Sequence, residues 1–150
     1  MNLESTISIY SGGPGSGCTG PNCGRRPSQL LHGTTLTNAV KIAKRGFKPN
    51  EEGYVHFTPL HDIAESYGAM HDKAYAVVYF NVPKDMSLEK DPDPEELLGP
   101  GAVRYKGEFK PDDLSIEVYS KSGEPVDSWH SSLQSQKDLA DIVRQARTLK

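Results

Sequence analysis

Residues Leu30 to Tyr67 read LLHGTTLTNAVKIAKRGFKPNEEGYVHFTPLHDIAESY, and the way this stretch divides decides the fold. The apolar pair Leu30-Leu31 leads into His32-Gly33-Thr34. Leu36, Ala39, Val40, Ala43 and Phe47 then recur at i, i+3, i+4, i+7 and i+11, which predicts an amphipathic helix. Thr35 or Thr37 can cap its start. Lys44 and Arg45 suit the negative end of its dipole. Gly46 fits a left-handed stop, and Pro49 follows. Residues 54–58, YVHFT, read as a strand with Val55 and Phe57 on one side and Tyr54 and His56 on the other. Thr58-Pro59 predicts the opening of a second helix, with threonine as N-cap and proline first. Leu60, Ile63, Ala64 and Tyr67 would form its inner face. The polar groups of this stretch fall at element ends, where sites tend to lie.

The rest of the chain reads outward from there. Residues 1–29 are a Gly-, Pro- and Ser-rich leader that cannot bury enough apolar surface to offset ordering entropy. Cys18 and Cys23, the only cysteines, lie in it and could stay free, pair, or supply half of a zinc site. Ala74 to Phe80, AYAVVYF, is a continuous apolar run and so a central strand. Asn81 to Leu98 is a polar insertion made acidic by Asp85, Glu89, Asp91, Asp93, Glu95 and Glu96. Its Pro92 and Pro94 argue against regular structure. Val103, Tyr105 and Phe109 alternate with Arg104, Lys106 and Glu108, and Leu114, Ile116 and Val118 with Ser115, Glu117 and Tyr119, as on half-buried strands. Lys121 to Glu124 turns toward a hairpin partner reaching Trp129. A last helix from about Ser132 would bury Leu139, Ile142, Val143 and Ala146. The sum is one α+β domain over 30–150 behind a flexible leader.

Composition narrows the function. A net charge of -3 over 150 residues gives no electrostatic case for tight binding along a nucleic-acid backbone. No apolar run approaches the roughly 20 residues of a membrane span, and the N-terminus lacks the pattern of a secretion signal. His32, His56, His61, His71 and His130 are not at dependable metal-ligand spacing, so no metal is expected.

In its order of elements the organising stretch resembles the ADP-ribosyltransferase superfamily. An apolar pair, His-Gly-Thr, a capped helix, Gly-Phe, a strand ending in Phe-Thr and a helix carrying Ala and Tyr succeed one another. The wording is similar to the C-terminal lobe of RNA 2'-phosphotransferases: Val55-His56-Phe57-Thr58, the run Ala74 to Phe80, and Lys110-Pro111-Asp112-Asp113-Leu114 take the places of that lobe's motifs. The leader resembles a stretch of tailed-phage minor head proteins. The likeness implies an ADP-ribosyltransferase-like split antiparallel β-sheet core with two to three helices, and NAD as substrate. It also implies an unknown protein or nucleic-acid acceptor, and host cytoplasm or a virion as the setting. Four departures stand out. Residues 1–29 are too short and too Gly-rich to replace the phosphotransferases' N-terminal lobe, and their Arg-His-Gly reads Met70-His71-Asp72. The late-strand glutamate of poly(ADP-ribose) polymerases would fall near Ala102 or Val103, and His56 takes the place of their strand tyrosine.

The resemblance assigns roles. His32 would hold a ribose hydroxyl, since a neutral imidazole offers one donor and one acceptor, with Gly33 and Thr34 beside it. Tyr67 is either a core residue or a stacking platform for nicotinamide. His56, with Tyr54 on the same strand face, points to the site or to solvent. His71 could meet a phosphate. Arg104 could meet the pyrophosphate, since its fork matches phosphate geometry. Glu108 is the nearest carboxylate to act on the ribose or an acceptor, unless it only pairs with cations on an exposed face. Three functions follow: a mono-ADP-ribosyltransferase acting on host macromolecules, an RNA 2'-phosphotransferase-like enzyme, and an inactive nucleotide- or partner-binding domain.

Overall fold

The computed structural model describes residues 28–92, 100–133 and 137–149. Residues 1–27 of the leader, with its two cysteines, and the acidic residues Asp93, Glu95 and Glu96 lie outside them; Gln29, expected in the leader, opens the first strand, where it pairs with Asn81. The order is β1 (Gln29–Thr35), α1 (Leu36–Arg45), β2 (Tyr54–Phe57), α2 (His61–His71), β3 (Tyr75–Asn81), β4 (Glu89–Lys90), β5 (Val103–Lys106), β6 (Ser115–Tyr119), β7 (Pro125–His130) and α3 (Leu139–Thr148). The described residues form an α+β fold with three helices and two antiparallel sheets. One sheet has the order β1-β3-β6-β7 and the other β2-β5-β4.

β3 sits inside the larger sheet, and the period of two along its neighbours explains its unbroken apolar run. Leu30, Ala76, Val78, Phe80, Ile116 and Val118 turn to the main core with Phe47, Phe57, Val103 and the inner faces of α1 and α3. Leu31, Val77, Tyr75 and Tyr119 turn the other way and pack with Ala64 of α2. Both faces of β3 are therefore covered. α3 buries Leu139, Ile142, Val143 and Ala146, the four residues its periodicity singles out, but starts at Leu139 rather than near Ser132.

The two sheets meet at one reciprocal pair of backbone bonds. Leu31 N donates to Thr58 O (2.8 Å) and Thr58 N donates to Leu31 O (3.0 Å). This bridge corrects the expected start of α2. Thr58 is held against β1, so the helix begins at His61 and no side chain caps it. Its buried residues are Ala64 and Gly68, not the broader face that includes Leu60, which is 36% exposed. The reason is close approach. A Cβ on Gly33 would lie 1.7 Å from the Ala64 carbonyl oxygen, and one on Gly68 would lie 2.8 Å from the Tyr75 ring. Only glycine lets α2 lie this near β1.

The described part of the insertion, residues 81–92, is less irregular than its composition suggests. Met86 and Leu88 are buried in the main core. β4 then pairs with β5, and this places Asp91 under the protein surface, 4% exposed.

Candidate functional site

A cleft of about 540 Å³ opens beside the Leu31–Thr58 bridge, and its walls include His32, Gly33, Thr34, Asn38, His56, Thr58, Tyr67, His71, Asp91 and Ala102. That volume falls within the roughly 300–1,000 Å³ of small-molecule sites.

His32 lies mid-strand in β1, on the face shared with Leu30. Its ring is edge-on to Phe47 (5.3 Å) and Phe57 (5.9 Å). Nδ1 lies 2.8 Å from the backbone carbonyl of His56. A carbonyl only accepts, so Nδ1 carries the proton, and Nε2 is left as a bare acceptor. Burial lowers the His32 pKa from its ordinary value, against the pull of the His56 carbonyl, and the neighbouring His56 and His71 add to the lowering. At neutral pH the ring is neutral, in one tautomer. Nε2 has no partner among the described residues, and the half-buried ring lines the cleft, so a hydrogen-bond donor placed there can reach it.

Around His32 the chain is stiff. Thr35 caps α1, accepting from Asn38 N at 3.1 Å. The Asn38 amide donates to the buried Thr34 hydroxyl at 2.8 Å, leaving the Thr34 O–H free to donate. At the far end of α1, Gly46 takes φ 83°. A Cβ there would run into Phe109 and Lys110, as the chain turns to pair Phe47 with Phe109.

His56 faces the cleft from β2. Its Nδ1 meets the Asp91 carboxylate at 2.5 Å, and Asn50 Nδ2 approaches its Nε2 at 3.2 Å. The Asn50 carbonyl oxygen accepts from the amides of Glu52 and Tyr54, which fixes its NH2 toward His56. Asn50 therefore donates, Nε2 accepts, and Nδ1–H donates to Asp91. The Asp91 side chain is 1% exposed and the His56 side chain 34%. Asp91 is the residue sequence reasoning missed. It reads as one carboxylate in an acidic run, and the only hint of its burial is the apolar Met86 and Leu88 just before it.

The structure brings His32, Gly33, Thr34, His56, Tyr67 and His71 to one cleft. Tyr54, Arg104 and Glu108 do not line it. Tyr54 shares its strand face with His56, as its alternation implies, but lies under the Arg104 guanidinium, 3.8 Å from the ring centre. Arg104 also donates to Glu89 at 3.1 Å, so its fork is engaged away from the cleft. Glu108 pairs with Lys48 at 2.8 Å on an exposed surface, the bland alternative its spacing allowed. Different cations stand near His32. A side pocket of about 110 Å³ shares His32 and Asn38 with the cleft and includes Lys41, Arg45 and Lys48.

Among the described residues one group of possible metal ligands comes together, His61, Asp62 and Glu65, with one ligand atom each inside 4.8 Å. It does not line the cleft. Both nitrogens of His61 are already engaged, Nδ1 with Glu65 at 2.9 Å and Nε2 with Glu117 at 2.6 Å. Tyr119 donates to Glu117 and Tyr75 to Glu65, and the two tyrosine rings stack at 4.8 Å. Burial and then Glu65 push the Tyr75 hydroxyl up to about 12. Burial and then Glu117 push Tyr119 up as well.

No protein-family model matches this chain, and no curated protein gives a significant match to it.

Proposed function

We propose that this chain is an ADP-ribosyltransferase-like domain that binds NAD in the cleft and transfers its ADP-ribose to a macromolecular acceptor. One observation carries the reading: His32 is neutral, holds its proton on Nδ1, and lines a cleft of dinucleotide-binding size with its Nε2 unpartnered among the described residues. Such an atom accepts a hydrogen bond from a ribose hydroxyl. Tyr67 supplies an aromatic face in the same cleft for a planar ring. Lys41 and Arg45 in the adjoining side pocket offer charge to the pyrophosphate, a role Arg104 is not placed to take, and Lys48 beside them is paired with Glu108. Two antiparallel sheets that part beside the His-Gly-Thr strand are in keeping with the split sheet of that superfamily.

Breaking the nicotinamide–ribose bond passes through an oxocarbenium-like state. It is favoured by holding the dinucleotide bent and shielded from water. The cleft residues can do this without a metal.

The test is incubation with isotopically labelled NAD and bacterial lysate, read by mass spectrometry for released nicotinamide and ADP-ribose adducts. Adducts with the wild type and none with His32→Ala are expected. NAD left intact and unbound by the wild type would overturn the reading. A second reading, a domain that binds the nucleotide without turning it over, is favoured by Ala102. This residue lines the cleft near where the superfamily's late-strand glutamate would fall, and it brings no carboxylate. Saturable NAD binding with no nicotinamide release would select it.

A further inference from the structure

We propose that His56 and Asp91 form the proton-accepting pair of the cleft and that its acceptor is therefore a hydroxyl group. This rests on the ADP-ribose transfer reading and deepens it.

Burying Asp91 has a cost. A carboxylate 1% exposed is retained only where it is well bonded. Its partner at 2.5 Å is His56 Nδ1–H, and its backbone N–H is held by Ala102 O at 3.0 Å. The carboxylate thus fixes the imidazole with Nε2 as the basic atom and stabilises the ring when that atom takes a proton. This is the arrangement of a histidine general base oriented by an acid. Among the described residues the one group on Nε2 is the Asn50 amide at 3.2 Å. That contact is long and Asn50 is exposed, so an incoming hydroxyl can compete with it for Nε2.

The step balances. The hydroxyl oxygen attacks the ribose carbon that bears nicotinamide and forms a C–O bond. The C–N bond breaks, and its electron pair neutralises the pyridinium, so nicotinamide leaves uncharged. The hydroxyl proton passes to His56 Nε2, and the resulting imidazolium is paired with Asp91. A carboxylate acceptor would carry no proton to remove. A guanidinium would seek the Asp91 charge, which His56 covers. A hydroxyl needs a base, and here one is supplied in place of the missing glutamate.

The pair could instead merely pin the insertion to β2, and the test separates the two. Wild type, His56→Ala, His56→Gln and Asp91→Asn are compared for NAD affinity, melting temperature and nicotinamide release, with methanol as the simplest hydroxyl acceptor. The wild type is expected to form methyl ADP-ribose. Both His56 variants should bind NAD as the wild type does but lose about 10²–10⁴-fold in turnover. Added imidazole should restore part of the His56→Ala rate. Asp91→Asn should lose on the order of 10²-fold, in turnover rather than affinity. Either His56 variant turning over at the wild-type rate would overturn the pair while leaving NAD transfer standing. A His56→Ala loss that follows a lowered melting temperature and ignores imidazole would overturn it in favour of a pin. A wild type that neither binds nor cleaves NAD would remove both readings.

Discussion

His32 and His61 meet opposite surroundings in the same small fold. His32 sits between two phenylalanine edges with a backbone carbonyl on one nitrogen and, among the described residues, nothing on the other. His61 is 43% exposed on its side chain and lies between the carboxylates of Glu65 and Glu117. Burial pulls both rings toward the neutral form. At His32 it wins. At His61 the hydrogen bond and charge of Glu117, then those of Glu65, outweigh it and raise the pKa. The difference teaches that position near a helix or strand end does not make a histidine functional. An unmet hydrogen-bonding atom in a cleft does, whereas a fully satisfied ring on the surface ties elements together.

The largest expected effect comes from closing the cleft's supporting contact. Gly33→Ala puts a methyl group 1.7 Å from the Ala64 carbonyl oxygen, and backbone cannot rotate aside. A loss of about 3 kcal/mol or more is expected, measured by urea unfolding. An unchanged midpoint would show that α2 does not lie on β1 as described. Phe47→Leu comes next. The ring is 1% exposed and touches His32, Phe57 and Phe80, so a loss of about 1–3 kcal/mol is expected. Because that ring helps keep water from His32, NAD affinity should weaken too.

The pH responses of the two histidines should have opposite sign. His32 has a lowered folded-state pKa, so its contribution is intact above its ordinary value of about 6.5 and is lost as pH falls through the folded value. His61 has a raised one, so its ion pairs contribute fully below about 6.5 and are lost as pH rises through the folded value. NAD affinity should therefore drop on acidification from neutral pH, and the part due to His32 should vanish in His32→Ala. An affinity that improves with acid would break the comparison. The smallest effect belongs to His61→Gln, whose pairs are screened by water. It should change stability by about 0–1 kcal/mol and leave NAD affinity unchanged. A large loss of affinity would make His61 part of the site.

Much of the fold was legible because periodicity and capping act locally. The helix ending at Gly46, the covered strand β3, the β6–β7 hairpin and the buried stripe of α3 follow from residues within one or two turns of each other. The start of α2 was not, because Thr58 is claimed by Leu31 across 27 positions of sequence rather than by the helix. Alternation placed Tyr54 and His56 on one strand face, but only the pairing of β5 with both β2 and β4 decides that Arg104 covers Tyr54 while Asp91 reaches His56. A carboxylate's burial is a long-range property. Nothing in an acidic run marks Asp91 as the member, among those described, that the sheet folds inward.

The most direct measurement is long-range 1H–15N NMR of the histidine side chains at neutral pH, with and without NAD, assigned through His32→Ala and His61→Gln. The expected spectrum shows His32 neutral with its proton on Nδ1, His61 the more protonated of the two, and the His32 Nε2 resonance shifting when NAD is added while His61 stays still. A protonated His32, a proton on its Nε2, or an Nε2 resonance indifferent to NAD would contradict the reading of the cleft as a nucleotide site.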